Sequence, residues 1–258
     1  MGWQKGNLAI CLGLIWLSLG QVSAPANGQQ AREIVDRAAR LFISKSSIAT
    51  MEMQITNQEV QRKISMQFWS LGESNILLRI RSPKEDAGTA ILKVGNKIWY
   101  YLPKANRTVQ IRASMMTTSW MGSNFTLDDL VKQSRLTDDY AITGTFEGRR
   151  DGIAVSEYTL TPKPKAAVVW GTITLEVRQS DHLPVRQRYY DEDGKLIREL
   201  TFSEYKTVSG RPVPMRLVMQ TMDKSGTKAV AETTITYEKI IFDKPISKDI
   251  FSLKNLKQ

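Results

Sequence analysis

MEMQIT, Met51–Thr56, and KISMQF, Lys63–Phe68, decide how this chain is to be read. In the first, Met51, Met53 and Ile55 alternate with Glu52, Gln54 and Thr56; in the second, Ile64, Met66 and Phe68 alternate with Lys63, Ser65 and Gln67. A period of two sends successive side chains to opposite faces of a pleated strand, so both segments read as half-buried strands. The pattern runs on through Ile76, Leu78 and Ile80, then through TAILKV, KIWYYL and RTVQI. It resumes at Tyr140 and lasts nearly to the end, with Ile173, Leu175 and Val177, then Leu196, Leu200 and Phe202, then Met215, Leu217 and Met219 on alternate positions. Gly95-Asn96, Asp193-Gly194 and Ser225-Gly226 carry hairpin chemistry. The reading predicts roughly ten or more antiparallel strands in a single meander. A sheet with one apolar face must curl over something. The expected fold is therefore mainly β, a half-open antiparallel β-barrel with an N-terminal helix and a short helical lid over an apolar cavity.

Two stretches break the period. QQAREIVDRAARLF places Ile34, Val35, Ala38, Leu41 and Phe42 at steps of three and four with charges between them, which is the pattern of an amphipathic helix. The other is ASMMTTSWMGSNFTLDDL, Ala113–Leu130, where Met115, Met116, Trp120, Met121 and Phe125 are threaded through Ser, Thr, Gly and Asn. Loops ordinarily run over the surface, so large apolar groups in one must find the core or a ligand. Thr126 can cap the following LDDLV, with Asp128 and Asp129 in a first turn that favours negative charge. The segment is expected to be a mobile lid. Methionine, flexible and polarizable, suits a lining that repacks around cargo.

The first residues read as a secretory signal peptide: Lys5, an apolar run from Leu8 to Leu19, and a small-residue end at Val22-Ser23-Ala24. A run of about 12 residues falls short of the roughly 20 needed to span a bilayer. Cleavage is expected after Ala24, or after Gly28, leaving residues 25–258 as one domain in the periplasm. The single cysteine, Cys11, lies inside the leader, so the mature chain can form neither a disulfide nor a thiolate metal site. Formal net charge is +10, but the charges alternate along strands instead of massing in a block, and no nucleic-acid-binding signature is present.

Catalysis needs a nucleophile, base, metal or cofactor at a defined spacing, and the chain offers none. The one histidine, His182, lies in a turn, QSDHLP. H-E-x-x-H, G-x-S-x-G, G-x-G-x-x-G and G-x-x-x-x-G-K-[ST] are all missing from the sequence. Asp128/Asp129 are explained by a helix start and Asp191-Glu192-Asp193 by a hairpin turn. No cofactor, metal or enzymatic activity is expected.

AILKVGNKIWYYLPKANRTVQI, then SWMGSNFTLDDL, then LPVRQRYYDEDGKLIRELTFSEYKTVSGRPVPMRLVM resemble the LolA-like outer-membrane lipoprotein-sorting proteins. The resemblance is narrowest to the branch with a W-x-Y-x-P strand, here Trp99, Tyr101 and Pro103, and an M-G-S-N-F-T-x-x-D-L segment, here Met121–Leu130. It implies a periplasmic half-barrel that shelters the acyl chains of a lipoprotein or lipid. Implied partners are inner-membrane export machinery and an outer-membrane acceptor, with transient membrane contact, no nucleic acid, and a monomeric state. The second function it implies is a lipid- or lipoprotein-sensing adaptor of an envelope-stress or export complex. LolA proper has an Arg-Pro pair just after its second strand; the corresponding turn here reads Ser70-Leu71-Gly72-Glu73. The residues expected to line the cavity and lid are Met51, Met53, Ile64, Met66, Phe68, Ile76, Leu78, Ile80, Trp99, Tyr101, Met115, Met116, Trp120, Met121, Phe125, Met215, Leu217 and Met219.

Overall fold

Alternating strands and tight turns leave the backbone one economical way to satisfy its hydrogen bonds, which is pairing with the next strand in sequence. A computed structural model of the chain describes residues 1, 28–57, 61–131, 136–166 and 168–257. The proposed signal peptide lies outside the described residues. Helix α1 (Gly28–Ala39) comes first, burying Ala31, Ile34 and Val35. Six strands follow: β1 (Ser46–Thr56), β2 (Gln61–Leu71), β3 (Asn75–Ser82), β4 (Ala90–Val94), β5 (Lys97–Leu102) and β6 (Arg107–Gln110). Two short helices, α2 (Leu127–Val131) and α3 (Leu136–Asp139), precede β7 (Tyr140–Arg150). Then come β8 (Ile153–Pro162), β9 (Thr172–Arg178), β10 (Pro184–Tyr190), β11 (Leu196–Val208), β12 (Arg211–Met222) and β13 (Ala229–Phe242), with helix α4 (Leu253–Leu256) near the end.

All 13 strands form one antiparallel sheet in the order β6-β5-β4-β3-β2-β1-β13-β12-β11-β10-β9-β8-β7. The fold is mainly β and open, as the half-barrel reading expected, since β6 and β7 end the sheet without pairing. The single meander is corrected. There are two meanders, β1 to β6 and β7 to β13, joined where β1 pairs with β13, for example Met53 opposite Ile235. Short hairpins explain why each meander holds together. Asp151-Gly152 and Ser209-Gly210 both take positive φ at two successive residues, the backbone that two-residue turns between twisted strands require. Bulges at Thr50/Met51, Ser65/Met66, Gly144/Phe146 and Thr221/Met222 add local bend and twist.

The strand period sorts the apolar residues into two clusters on opposite faces. The inner face carries the main core, which includes Met53, Ile64, Met66, Leu78, Ile91, Leu160, Leu175 and Met219, with α1 laid on it. On the outer face of β3–β5, Leu77, Ala90, Leu92 and Tyr101 pack with Phe251 and Leu256 from the C-terminal segment, and Trp69 and Trp99 flank them. Strands β3 and β4 are thus covered on both sides, which is why ILLRI and AILKV read as nearly continuous apolar runs. Buried Arg79 donates to the Asn255 carbonyl and ties down the same segment.

Elsewhere the outer face is a charge ladder. Glu176, 1% exposed, accepts from Arg150 at 2.5 Å and Arg188 at 2.8 Å, while Arg188 also reaches Glu199 at 2.7 Å. The alternating charges of VRQRYY are cross-strand partners, not a dispersed solvated face. Because Phe251 fills an outer-face cluster, Phe251→Ala is expected to lower unfolding free energy by about 3–5 kcal/mol, read from the urea midpoint. An unchanged midpoint would mean that the C-terminal segment is not docked there.

Candidate functional site

The order of strands forces the chain between β6 and β7 to pass from one edge of the sheet to the other. The described part of that connection, residues 113–131 and 136–139, lies over the inner face and reaches the sheet at several points. Trp120, Met121, Gly122 and Ser123 form a tight turn closed by the Ser123 N–H donating to the Trp120 carbonyl at 2.9 Å. Met121 and Gly122 take φ of 55° and 76°, a pair of left-handed residues for which glycine is suited and methionine is not. The Tyr100 hydroxyl on β5 donates to Met121 Sδ at 3.1 Å, holding the strained residue to the sheet.

Two polar anchors follow. The Asn124 side-chain amide donates to Thr221 Oγ1 at 2.6 Å and its carbonyl oxygen accepts from Thr233 Oγ1 at 2.7 Å, bridging β12 and β13. Thr126 caps α2 reciprocally with Asp129: the Thr126 N–H donates to Asp129 Oδ2 at 2.7 Å, and the Asp129 N–H donates to Thr126 Oγ1 at 3.2 Å. The same carboxylate receives two bonds of 2.7 Å from Arg198 on β11. Arg198, with a side chain 4% exposed, lies 4.3 Å from the ring centroids of both Trp170 and Tyr189. A guanidinium set against two adjoining aromatic rings, with a bidentate carboxylate at its edge, is a compensated buried charge.

The passing segment does not fill the inner face. Between it, the end of α1 and strands β9–β12 lies a cavity of about 370 Å³. Its apolar lining includes Ala38, Phe42, Met116, Phe125, Leu136, Val168, Trp170, Ile173, Leu200, Phe202, Leu217 and Met219. Thr117, Asp128, Asp129, Asp139, Tyr140, Gln187 and Tyr189 supply polar atoms. A second space of about 70 Å³ adjoins β1–β3 and β13, and Phe42, Phe125 and Leu217 border both. Burial, reinforced by the Asp139 and Asp128 carboxylates, pushes the Tyr140 phenol up to about 12. Burial likewise raises Tyr189 and Tyr237, so these groups meet the interior as neutral phenols.

The expected site residues divide accordingly. Met116, Phe125, Leu217 and Met219 line the larger cavity; Met51, Met66, Phe68, Leu78, Phe125 and Leu217 line the smaller one. Met53, Ile64, Ile80, Trp120 and Met215 are buried in the main core away from both linings, and Met121 packs at its margin. Ile76 keeps the inner phase of β3 and is only half-buried. Three expectations are corrected. Trp99 and Tyr101 belong to the outer-face cluster, because their parity on β5 is opposite to that of Tyr100. Met115 is 37% exposed, displaced to solvent by the short helical turn at Ala113–Met115.

The sequence reading missed Phe42, Val168 and Trp170, together with the β10 and β11 residues. AAVVW, Ala166–Trp170, could have been found by the logic applied to the methionine-rich loop, since it too is apolar between strands. Among the described residues no cluster is placed to hold a metal ion. His182 sits in a turn at φ 58° with its N–H on the Arg178 carbonyl.

Asp129→Ala leaves Arg198 buried without its counter-charge, so a loss of about 3–5 kcal/mol in unfolding free energy is expected. Asp129→Leu with Arg198→Met should recover most of it, as read by a double-mutant cycle in urea. Equal loss in the single and double variants would show that the pair does not anchor the loop.

A family model described as "Uncharacterized protein" matches residues 72–258. No curated protein matches the chain in sequence. Among solved structures, a domain named for outer membrane lipoprotein sorting, from Vibrio parahaemolyticus, superposes with a TM-score of 0.77 at 23% identity, covering 90% of this chain and 100% of its own. A DUF1329 family protein from Desulfovibrio piger gives 0.78 at 21%, with 89% and 98% covered. A LolA superfamily protein from Nitrosomonas europaea gives 0.71 at 20%, with 87% and 98% covered. At these identities the likeness is one of fold. The chain belongs to the family of uncharacterized proteins whose model spans residues 72–258, and it has the LolA-like fold.

Proposed function

We propose that the protein is a periplasmic carrier, not an enzyme, which holds the acyl part of a lipoprotein or lipid and passes it between the inner and outer membranes. The observation that carries the reading is the cavity of about 370 Å³, apolar along most of its wall and roofed by a connection instead of a second packed layer. Its size lies within the range of small-ligand pockets, roughly 300–1,000 Å³. Sheltering an acyl chain removes about 0.8 kcal/mol of unfavourable hydration per methylene, so roughly 15 methylenes represent about 12 kcal/mol. Transfer on that scale needs an apolar container. With no nucleotide-binding motif in the sequence, release follows from affinity differences between donor, carrier and acceptor.

Several features support the reading without adding to it. The structures named for lipoprotein sorting and the LolA superfamily share this fold, and the proposed leader would direct the chain across the inner membrane. No described helix is long and apolar enough to cross a membrane. Inner-membrane export machinery and an outer-membrane acceptor are the partners this role requires. The protein would touch each membrane transiently and work as a monomer, as one domain from residue 25 to 258.

Leu217 borders both spaces, so Leu217→Trp tests the container directly. Native mass spectrometry of protein purified from periplasm should show acyl adducts on the wild type. The tryptophan variant should lose them and bind a fluorescent acyl reporter at least about tenfold more weakly, while its overpacking costs no more than about 1–3 kcal/mol of stability. Reporter binding unchanged by Leu217→Trp would contradict the proposal.

A further inference from the structure

The formal charge of +10 is not spread evenly through the fold. Residues 75–112, which span β3–β6, and residues 243–258, the C-terminal segment, hold 12 of the 36 Lys and Arg but only 4 of the 26 Asp and Glu. The rest of the chain is close to neutral. Far apart in sequence, the two stretches meet in space, because Leu77, Ala90, Leu92 and Tyr101 pack with Phe251 and Leu256. A charge excess that no single run of sequence displays becomes a property of one end of the sheet.

Register places that end. Arg79 on β3 pairs with Ala90 on β4, Ala90 with Tyr101 on β5, and the next residue, Leu102, with Arg107 on β6. The turn after β3 carries Lys84 and runs against the turn after β5, since a Cβ at Gly88 would lie 3.6 Å from the Pro103 ring. Helix α4 is held over the same row by Arg79, which donates to the Asn255 carbonyl. Arg81, Lys84, Lys104, Arg107, Lys254 and Lys257 are thereby gathered at the margin of the outer-face cluster, and all six are exposed. None of them forms an ion pair among the described residues, and the neighbouring Asp86 is taken by Arg62. On β8–β11, by contrast, Arg150, Arg186 and Arg188 are matched by Glu157, Glu176 and Glu199.

Two large apolar side chains stand among these cations. Leu253 is 47% exposed and Leu102 36%, while Leu256, on the same short helix as Leu253, is fully buried. Ser252 Oγ accepts the Asn255 N–H at 3.3 Å, so Leu253 is presented by a capped turn. Trp69 and Trp99 lie half-buried in the adjoining cluster, with the Arg81 guanidinium 5.8 Å from the Trp69 ring centroid. A nucleic acid or an acidic protein would be met by the charge alone. Leucine and tryptophan within a basic field suit the boundary between anionic head groups and acyl chains. We propose that this end of the outer face docks the protein on a bilayer containing anionic phospholipid, the cations drawing it to the surface and Leu102 and Leu253 entering the head-group boundary. The inference rests on the carrier reading, which requires membrane contact and assigns it to no residues. None of the docking residues lines the cavity, so docking and cargo binding are separable.

Sedimentation with sucrose-loaded vesicles tests it on the purified protein. Phosphatidylcholine vesicles with about 30% phosphatidylglycerol should bind at least about tenfold more tightly than pure phosphatidylcholine in about 0.1 M salt, and release the protein in about 0.5 M salt. Lys104→Glu, Arg107→Glu and Lys254→Glu together should weaken binding at least about tenfold. Leu102→Ser with Leu253→Ser should weaken it about threefold or more. The same charge reversal at the exposed Lys206, Lys224 and Lys228 should change it by less than about twofold, and every variant should keep wild-type affinity for a fluorescent acyl reporter. Equal loss in the two charge-reversed triples overturns the inference, since net charge alone would then explain the binding. Equal binding to the two vesicle compositions overturns it and leaves the carrier reading standing, provided the reporter still binds. A DNA oligonucleotide bound as tightly as the anionic vesicles, with vesicle binding indifferent to the two serines, overturns it in favour of a polyanion site. Absence of reporter binding by the wild-type protein removes the carrier reading itself.

Discussion

Pairing of the first strand with the last governs this molecule. Because β1 lies against β13, the two free edges, β6 and β7, stand at opposite ends of the 13-stranded sheet. At about 4.8 Å per strand they are separated by roughly 58 Å along the sheet. The described part of the connection between them crosses the inner face. A segment that would ordinarily be solvent-exposed loop is therefore pressed against an apolar surface, and its Met116, Trp120 and Phe125 are all buried. Its greasy composition is a consequence of topology.

The same constraint explains the hollow. A sheet face covered by a second sheet or by long helices packs to the density of an organic crystal. Here the cover is an irregular strap with one 12-residue helix beside it, held at chosen points by Met121 to Tyr100, Asn124 to two threonines and Asp129 to Arg198. Point anchors fix the strap without requiring it to interdigitate along its length. The space left between the anchors is the larger cavity. Of the anchoring residues, Tyr100, Met121, Asn124 and Arg198 stand outside the lining of the space, while Asp129 both anchors the strap and lines the cavity. Phe125, buried in the strap, borders both spaces.

Much of the architecture was legible in the sequence because a period of two is a local property. Strand existence, the helix at Ile34–Val35 and the capping of LDDLV by Thr126 all follow from neighbours within a few residues. The meeting of β1 with β13 joins residues almost two hundred positions apart, and no local pattern announces it. The face of β5 was misread for a related reason. KIWYYL is apolar on both phases, since both its sides are buried, and period alone cannot say that Tyr100 looks inward while Trp99 and Tyr101 look outward. The methionines were sorted poorly because strand phase places a residue on the inner face without saying whether the strap covers it.

Everything proposed for this protein depends on acyl chains entering the space between α1, Phe125 and strands β9–β12. The most direct measurement is a crystal structure of the protein soaked with a terminally brominated monoacylglycerol, with the bromine located by anomalous scattering. The account predicts a bromine peak inside the cavity, against Leu200, Phe202 and Met219, with the strap still anchored through Asp129 and Arg198. A cavity closed by its own side chains, with bromine only on the outer surface, would contradict it.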